Sequence, residues 1–433
     1  MSDRLPKDFR KLSIQERRHV LADTYQLDNE QLLGSGHADE LLDLADVMVE
    51  SAAGFLPLPL GIATGFIVDG VEHSIPMATE EPSVIAAATY GAKIVARGGG
   101  IATTIDDPVM TAQVFIEQAN TRVAAALCST SDPSALNELA ERLKQSTDAV
   151  IPAMTERGGG YRGCDAAWLT ETQLLRIQIH IDVRDAMGAN VLNTVAEQLK
   201  PVITDYCGGR SLMAILTNDA LQRRAQAEFR LPLHALRRKG IDSRVLAERI
   251  ILAGKLAHED PSRAVTHNKG IMNGVTAMAL ATGNDTRGLE AAVHRFACRD
   301  GQYRGLTSYR LDNDELVGSI ELPVPLGSVG GAIGFHPVAR MALNVLQIGS
   351  AGELGRIAAA LGLVQNFAAV SALVAEGIQH GHMRFHAHRL AYQAGARGSI
   401  IAIAAEQITA GGVFNSQAAK SIVHQLITRN EQR

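Results

Sequence analysis

Residues 174–190 read LLRIQIHIDVRDAMGAN, and the first ten of them decide what kind of fold the chain makes. Ile177, Ile179, Ile181 and Val183 alternate with Gln178, His180 and Asp182, so an extended strand here has one apolar and one polar face. Such a strand belongs to a sheet covered by helices on one side. Beyond it the alternation stops, and Asp185, Ala186, Met187, Gly188, Ala189 and Asn190 open a helix. The first backbone N–H groups of that helix are suited to an anionic phosphate.

Working outward, the spacing predicts strands at 113–117 and 212–217 and helices at 133–146 and 190–206, a compact α+β unit that reads as an insertion. Upstream, helices at 12–24 and 38–52 are separated by Gly34 and Gly36, and strands at 62–68 and 71–78 flank Asp69-Gly70, a hairpin-turn dipeptide. Downstream come helices from 219, a second hairpin at 311–322, a glycine-rich stretch at 327–334 and a mostly helical tail from 376. The apolar run 357–378 contains Gln365, Asn366 and Glu376, which a bilayer-spanning helix rarely tolerates, so it reads as a buried helix. No fixed-period repeat is present, which sets solenoids and propellers aside.

The chain of 433 residues is 46% apolar, enough to fill more than one core. Its 41 basic and 46 acidic residues give a net charge of −5 without long single-sign runs, so no nucleic-acid partner is expected and small molecules become the default. Cys128, Cys164, Cys207 and Cys298 are far apart and lack CxxC spacing, which argues against a zinc knuckle or a secreted disulfide framework and for a reducing cytoplasm. The first twenty residues are too charged for a signal core, so no export is expected.

Several segments are able to carry chemistry. Pro82 predicts a helix from 82 to about 97, because proline suits the first helical position. Glu81 then sits at the helix mouth, either as an ordinary acidic cap or as a carboxylic acid tuned for proton donation. Residues 266–274, THNKGIMNG, set Lys269 among hydrogen-bonding side chains between glycines and predict a functional loop. There Lys269 is either an oxyanion stabiliser or a solvated turn residue. Asp285, in ATGND at 281–285, either pairs with Lys269 or serves ordinary turn chemistry.

His380, His382, His386 and His388 crowd the tail, and His382 and His386 share a helical face. No HExxH motif and no clustered acid or cysteine completes a zinc site, so one histidine acting as a proton donor is the simpler proposal and no metal is expected. Residues 327–334 lack both the GxGxxG spacing and a following Lys-Ser/Thr, so they are weak support for nucleotide binding.

Taken together, MATEEPSVIAAATY, DVRDAMGANVLNT, THNKGIMNG with ATGND, and EGIQHGHM resemble the class II 3-hydroxy-3-methylglutaryl-CoA (HMG-CoA) reductase family, in the same order. The resemblance runs from Phe9-Arg10-Lys11-Leu12-Ser13 to the histidine-bearing tail. It implies an α+β fold. A large mixed helical and β substrate domain (1–108 and 219–376) would carry an inserted ferredoxin-like dinucleotide-binding domain (109–218) and a C-terminal helical flap (377–433).

By motif, the resemblance implies Glu81, Lys269, Asp285 and His382 as catalytic residues. It further implies that Arg10, Ser83, Arg263, Asn273 and Gln365 contact the acyl-CoA and that residues 185–190 line the dinucleotide site. The expected cofactor is NADPH or NADH, without a metal. Lys144 stands where NADH-preferring members place an aspartate and leans the expectation to NADPH, whereas a shifted alignment puts Asp148 there. The implied ligands are HMG-CoA, mevalonate and CoA. The implied assembly is a homodimer or a multiple of dimers, with the active site at the subunit interface. Ser51 departs from the family's usual asparagine. A non-catalytic CoA- or nucleotide-binding paralogue is the alternative, and the presence of all four catalytic residues argues against it.

Overall fold

Two sheets organise the chain, and the computed structural model describes residues 5–6, 8–27, 38–238, 240–375 and 379–431. Gly34, Gly36 and Glu376, named above, lie outside the described residues. The chain opens with α1 (Ile14–Tyr25), started by a capping box between Ser13 and Glu16, and α2 (Ala38–Met48). β1 (Leu60–Val68) and β2 (Val71–Ala78) form the expected hairpin, with Asp69 and Gly70 at φ 49° and 81°, the left-handed pair that a two-residue turn requires. α3 (Val84–Val95) starts later than expected: Ser83 has φ 77°, so Pro82 lies before the helix cap. β3 (Ile101–Ile105) then leads into the inserted unit.

That unit contains β4 (Val109–Glu117), α4 (Thr121–Leu127), α5 (Ser134–Val150), α6 (Pro152–Glu156), β5 (Gly160–Leu169), β6 (Leu174–Asp182), α7 (Ala189–Cys207) and β7 (Arg210–Thr217). Its strands pair antiparallel in the order β5-β6-β4-β7, a ferredoxin-like arrangement. Ile177, Ile179 and Ile181 are fully buried in one core with Leu139 and Leu143 of α5 and Leu192, Val195 and Leu199 of α7. Each such side chain contributes about 1.5–3 kcal/mol when fully buried. β5 was not visible in the sequence, because glycines at 160 and 163 and a run of half-buried residues blur its alternation.

The chain returns to the larger sheet through β8 (Arg224–Pro232), where helices were expected. Its buried face includes Ala225 and Ala227 as well as Phe229 and Leu231, and the small alanines mute the period-two signal. α8 (Ser243–Glu259), α9 (Pro261–Ala281), α10 (Thr286–Ala297), β9 (Thr307–Asp312), β10 (Glu315–Pro323), α11 (Pro337–Leu346) and α12 (Ala351–Leu373) complete this part. The six-stranded sheet has the order β2-β1-β3-β8-β10-β9.

Residues 266–274, expected as a loop, lie inside the 21-residue α9. Pro261 at its start and the Asp260 side chain capping Ser262 N–H nucleate it. Ala264, His267, Asn268, Ile271, Met272 and Val275 then line its buried side at helical spacing, and tertiary packing overrides the two glycines. Residues 357–373 of the apolar run are, as expected, in a buried helix: α12 passes through the core against α9, α3 and β8. The tail forms α13 (Gln379–Gln393), α14 (Ser399–Gly411) and α15 (Ser416–Glu431), joined by a core of their own that includes Leu390, Ile408 and Val423.

Candidate active site

After β2 the backbone bends through 79–83, with the Glu81 N–H donating to Thr79 Oγ1 at 3.1 Å and Ser83 left-handed. This turn aims the Glu81 side chain at α9. Lys269 Nζ donates to Glu81 Oε2 at 2.7 Å, and Asn273 Nδ2 donates to Oε1 at 3.4 Å. Lys269 and Asn273 are one helical turn apart, so a single face of α9 supplies donors to both carboxylate oxygens. The capping reading of Glu81 is thereby overturned, and α3 has no acidic residue in its first turn.

The Lys269 and Glu81 side chains are 58% and 38% exposed. An ion pair this open contributes only about 0–1 kcal/mol to stability. The arrangement is therefore poorly explained as a structural brace, and its cation and acid remain accessible to a ligand.

Of the two readings of Asp285, this structure shows the local one. Its Oδ1 accepts from the N–H groups of Arg287 and Gly288, both at 3.0 Å, making it the N-cap of α10. Among the described residues it makes no ion pair with Lys269, because its extended backbone turns the carboxylate onto its own helix. Its neighbour Asn284 clamps Gly327 from both sides, accepting from Gly327 N–H at 2.7 Å and donating to Gly327 O at 3.1 Å.

The glycine-rich segment is a brace for residues 185–188. A side chain at Gly327 would put its Cβ 2.6 Å from Met187 N. Ser328 N–H donates to Asp185 O at 2.9 Å, and Ala186 bridges Val329. Ala351 N–H donates to Asp185 Oδ1 at 2.8 Å. Arg223, fully buried, donates to the carbonyls of Ala186, Met187 and Leu326. Burial lowers its pKa to about 10, which leaves the guanidinium charged at neutral pH. The loop so held ends at Gly188, φ 102°, which leaves the first turn of α7 without a side-chain cap. Uncapped N–H groups at a helix start fit a dinucleotide phosphate, so residues 185–190 suit the expected cofactor.

Of the other expected contacts, Ser83 Oγ and Gln365 Oε1 are buried without a hydrogen-bond partner among the described residues. Gln365 packs beneath Gly274, one residue from Asn273. Arg263 lies on α9, half-buried, six residues before Lys269. Lys144 is exposed on α5, and Asp148 one turn later accepts from Thr155 Oγ1 at 3.3 Å. His382 lies on α13, but its side chain, like that of Arg10, lies outside the described residues. Sequence reasoning missed Asn284 and Arg223. Asn284 stood inside the quoted ATGND segment, whereas Arg223 carries no local signal.

The hydroxymethylglutaryl-coenzyme A reductase family pattern matches residues 13–387. A 3-hydroxy-3-methylglutaryl-coenzyme A reductase of Archaeoglobus fulgidus is 38% identical over 429 residues, 98% of this chain and 95% of its own length. A probable reductase of the same name from Borreliella burgdorferi is 34% identical, covering 89% of this chain and 86% of its own. A Streptococcus pneumoniae HMG-CoA reductase structure matches with a TM-score of 0.79 at 38% identity, over 97% of this chain and 99% of that one. Another structure from the same organism, described as the class II enzyme bound to NADPH in open conformations, matches with a TM-score of 0.79 at 38% identity over 85% of this chain and 99% of that one. The chain belongs to the hydroxymethylglutaryl-coenzyme A reductase family, in its class II branch.

Proposed function

We propose that the Glu81–Lys269 pair is the reacting centre of an HMG-CoA reductase. The enzyme interconverts HMG-CoA with mevalonate and free CoA through mevaldyl-CoA and mevaldehyde. The observation that carries this reading is the 2.7 Å contact between an accessible lysine and an accessible glutamate, with Asn273 on the second carboxylate oxygen. When bound, the nicotinamide supplies one hydride to the thioester carbonyl and, from a second cofactor, one to the aldehyde carbonyl.

Each reduction builds negative charge on a carbonyl oxygen, and Lys269 donates to that oxygen as the charge develops. Glu81 hands its proton to the aldehyde oxygen in the second reduction, and Asn273 orients its carboxyl group. Asp285 acts on the same centre, its contact with Lys269 arising in the liganded dimer. His382 protonates the departing CoA thiolate. Arg10, Ser83, Arg263 and Gln365 contact the acyl-CoA, and the two orphaned oxygens of Ser83 and Gln365 support that role.

Residues 109–218 present the dinucleotide through residues 185–190, residues 1–108 and 219–376 hold the substrate, and 377–433 form the flap. NADPH is the proposed cofactor. The exposed Lys144 supports it, being free to meet a 2′-phosphate while Asp148 is bonded to Thr155. A homodimer with the site at its interface is supported by residues 47–60, where Val47 is 78% and Leu56 87% exposed, a cost that a partner subunit would remove. Four free thiols support a cytoplasmic setting. The decisive experiment adds HMG-CoA to the purified chain with NADPH or NADH and follows nicotinamide oxidation and CoA release together. Coupled oxidation and release is the expected result, and ligand binding without either would mark a non-catalytic paralogue.

A further inference from the structure

Lys269 follows two residues that are almost completely buried, His267 and Asn268. On a helix, residue 267 lies about 200° around from residue 269, so His267 faces the core when Lys269 faces the site. His267 Nε2 is 2.6 Å from Thr307 Oγ1. Thr307 Oγ1 donates to Asn366 Oδ1 at 2.9 Å, and Tyr309 OH donates to the same oxygen at 2.8 Å. Asn366 Nδ2 donates back to His267 O at 3.3 Å, which fixes which end of the amide is which.

These directions determine the proton on the imidazole. The Thr307 hydroxyl has already given its hydrogen to Asn366, so it offers His267 only a lone pair, and Nε2 must be the protonated nitrogen. Nδ1 has no partner among the described residues, which suits a bare lone pair on a neutral ring. Burial pushes the Tyr309 phenol up, keeping it a donor. A second clamp lies one residue on, where Asn268 Nδ2 donates to Arg304 O at 2.8 Å and Oδ1 accepts from Leu306 N–H at 3.0 Å. Two consecutive side chains of α9 are thus tied to the entry of β9 and, through Asn366, to α12.

We propose that the buried chain His267, Thr307, Asn366 and Tyr309 is a positioning device that sets the rotation of α9, so that Lys269 and Asn273 meet Glu81. The inference rests on the reading of Glu81 and Lys269 as the reacting centre. None of the four residues touches the reacting atoms. A displacement of about 1 Å in a reacting group costs about 100-fold in rate. Small rotations of α9 reach that distance at the end of the four-carbon lysine stem. The apolar core around α9 selects which face is buried but can absorb small shifts by side-chain repacking, whereas the directional hydrogen bonds of this chain fix the last increment of rotation.

The test compares His267→Leu, His267→Gln and Thr307→Val in the full chain, measuring kcat, KM for HMG-CoA and Tm. His267→Leu and Thr307→Val are expected to lose about 10- to 100-fold in kcat with KM little changed. The glutamine amide nitrogen stands where Nε2 stands, and His267→Gln is expected to restore kcat to within about threefold of wild type, a ΔΔG‡ of about 0.7 kcal/mol. If His267→Leu fails to fold, the near-isosteric Thr307→Val decides the matter. Wild-type kcat in Thr307→Val, or kcat losses that merely follow Tm across the variants, would overturn the positioning role. A wild-type chain that turns over no HMG-CoA would instead overturn the reductase reading beneath it.

Discussion

Lys269 Nζ stands 2.7 Å from Glu81 Oε2 although 188 residues separate them in the chain. The turn after a hairpin and the middle of a long helix meet only because β2 packs against α9. A pair this exposed adds little to folding, so its removal separates chemistry from stability. Lys269→Ala should leave the circular dichroism spectrum and Tm near wild type and lower kcat for HMG-CoA reduction by about 100- to 1000-fold. Turnover within tenfold of wild type would remove Lys269 from the reacting centre.

His267 makes stability depend on pH in a calculable direction. Burial, together with the nearby Arg263 and His258, lowers its pKa from 6.5 to about 3. Between those values the unfolded chain holds a proton on this residue that the folded chain does not, so stability falls as the pH drops through that window. The loss approaches about 1.4 kcal/mol per pH unit, and above about pH 6.5 the contribution is complete and flat. Chemical denaturation of wild type and His267→Gln between about pH 6 and about pH 4.5 should give a steeper loss for wild type. Parallel profiles would mean that the ring is charged inside the fold.

The strength of local patterning decides which features were legible in the sequence. The turn dipeptide Asp69-Gly70 and the alternating isoleucines at 177, 179 and 181 carry their structure in local sequence, and both elements lie where the sequence puts them. The glycines of residues 266–274 argued locally for a loop, but a buried face of eleven residues across α9 outweighs them. The meeting of Glu81 with Asn273 is tertiary and has no local signature. Four motifs resembling one family named both residues without fixing their geometry. Arg223 was invisible for a related reason: its three carbonyl partners come from two distant segments, and only the assembled fold brings them to one guanidinium.

Gly327 offers a test of the dinucleotide role proposed for residues 185–190. An added Cβ would lie 2.6 Å from Met187 N and 3.2 Å from Asp185 O, backbone atoms that cannot swing aside. Gly327→Ala must therefore displace residues 185–188, and KM for NADPH should rise about tenfold, equivalent to about 1.4 kcal/mol. Gly334→Ala, in the same segment but with open space around the added carbon, should leave it unchanged. Equal KM values in the two variants would detach this loop from the cofactor.

His382→Gln tests the division of labour between the centre and the tail. α13, which carries residue 382, shares a core with α14 and α15, so the substitution should leave the two sheets undisturbed. Reduction of HMG-CoA expels a thiolate, which needs a proton if it is not to re-attack the aldehyde. Reduction of free mevaldehyde expels nothing and needs only the alkoxide stabilisation and proton proposed for Lys269 and Glu81. Loss of a general acid typically costs about 100- to 10,000-fold, and that loss should fall on the first reaction alone. The measurement is kcat with HMG-CoA and with mevaldehyde, each with NADPH, in wild type and variant. A matching fall in both would mean that His382 serves the shared reduction chemistry or closure of the site, and its assignment to the thiolate would fail.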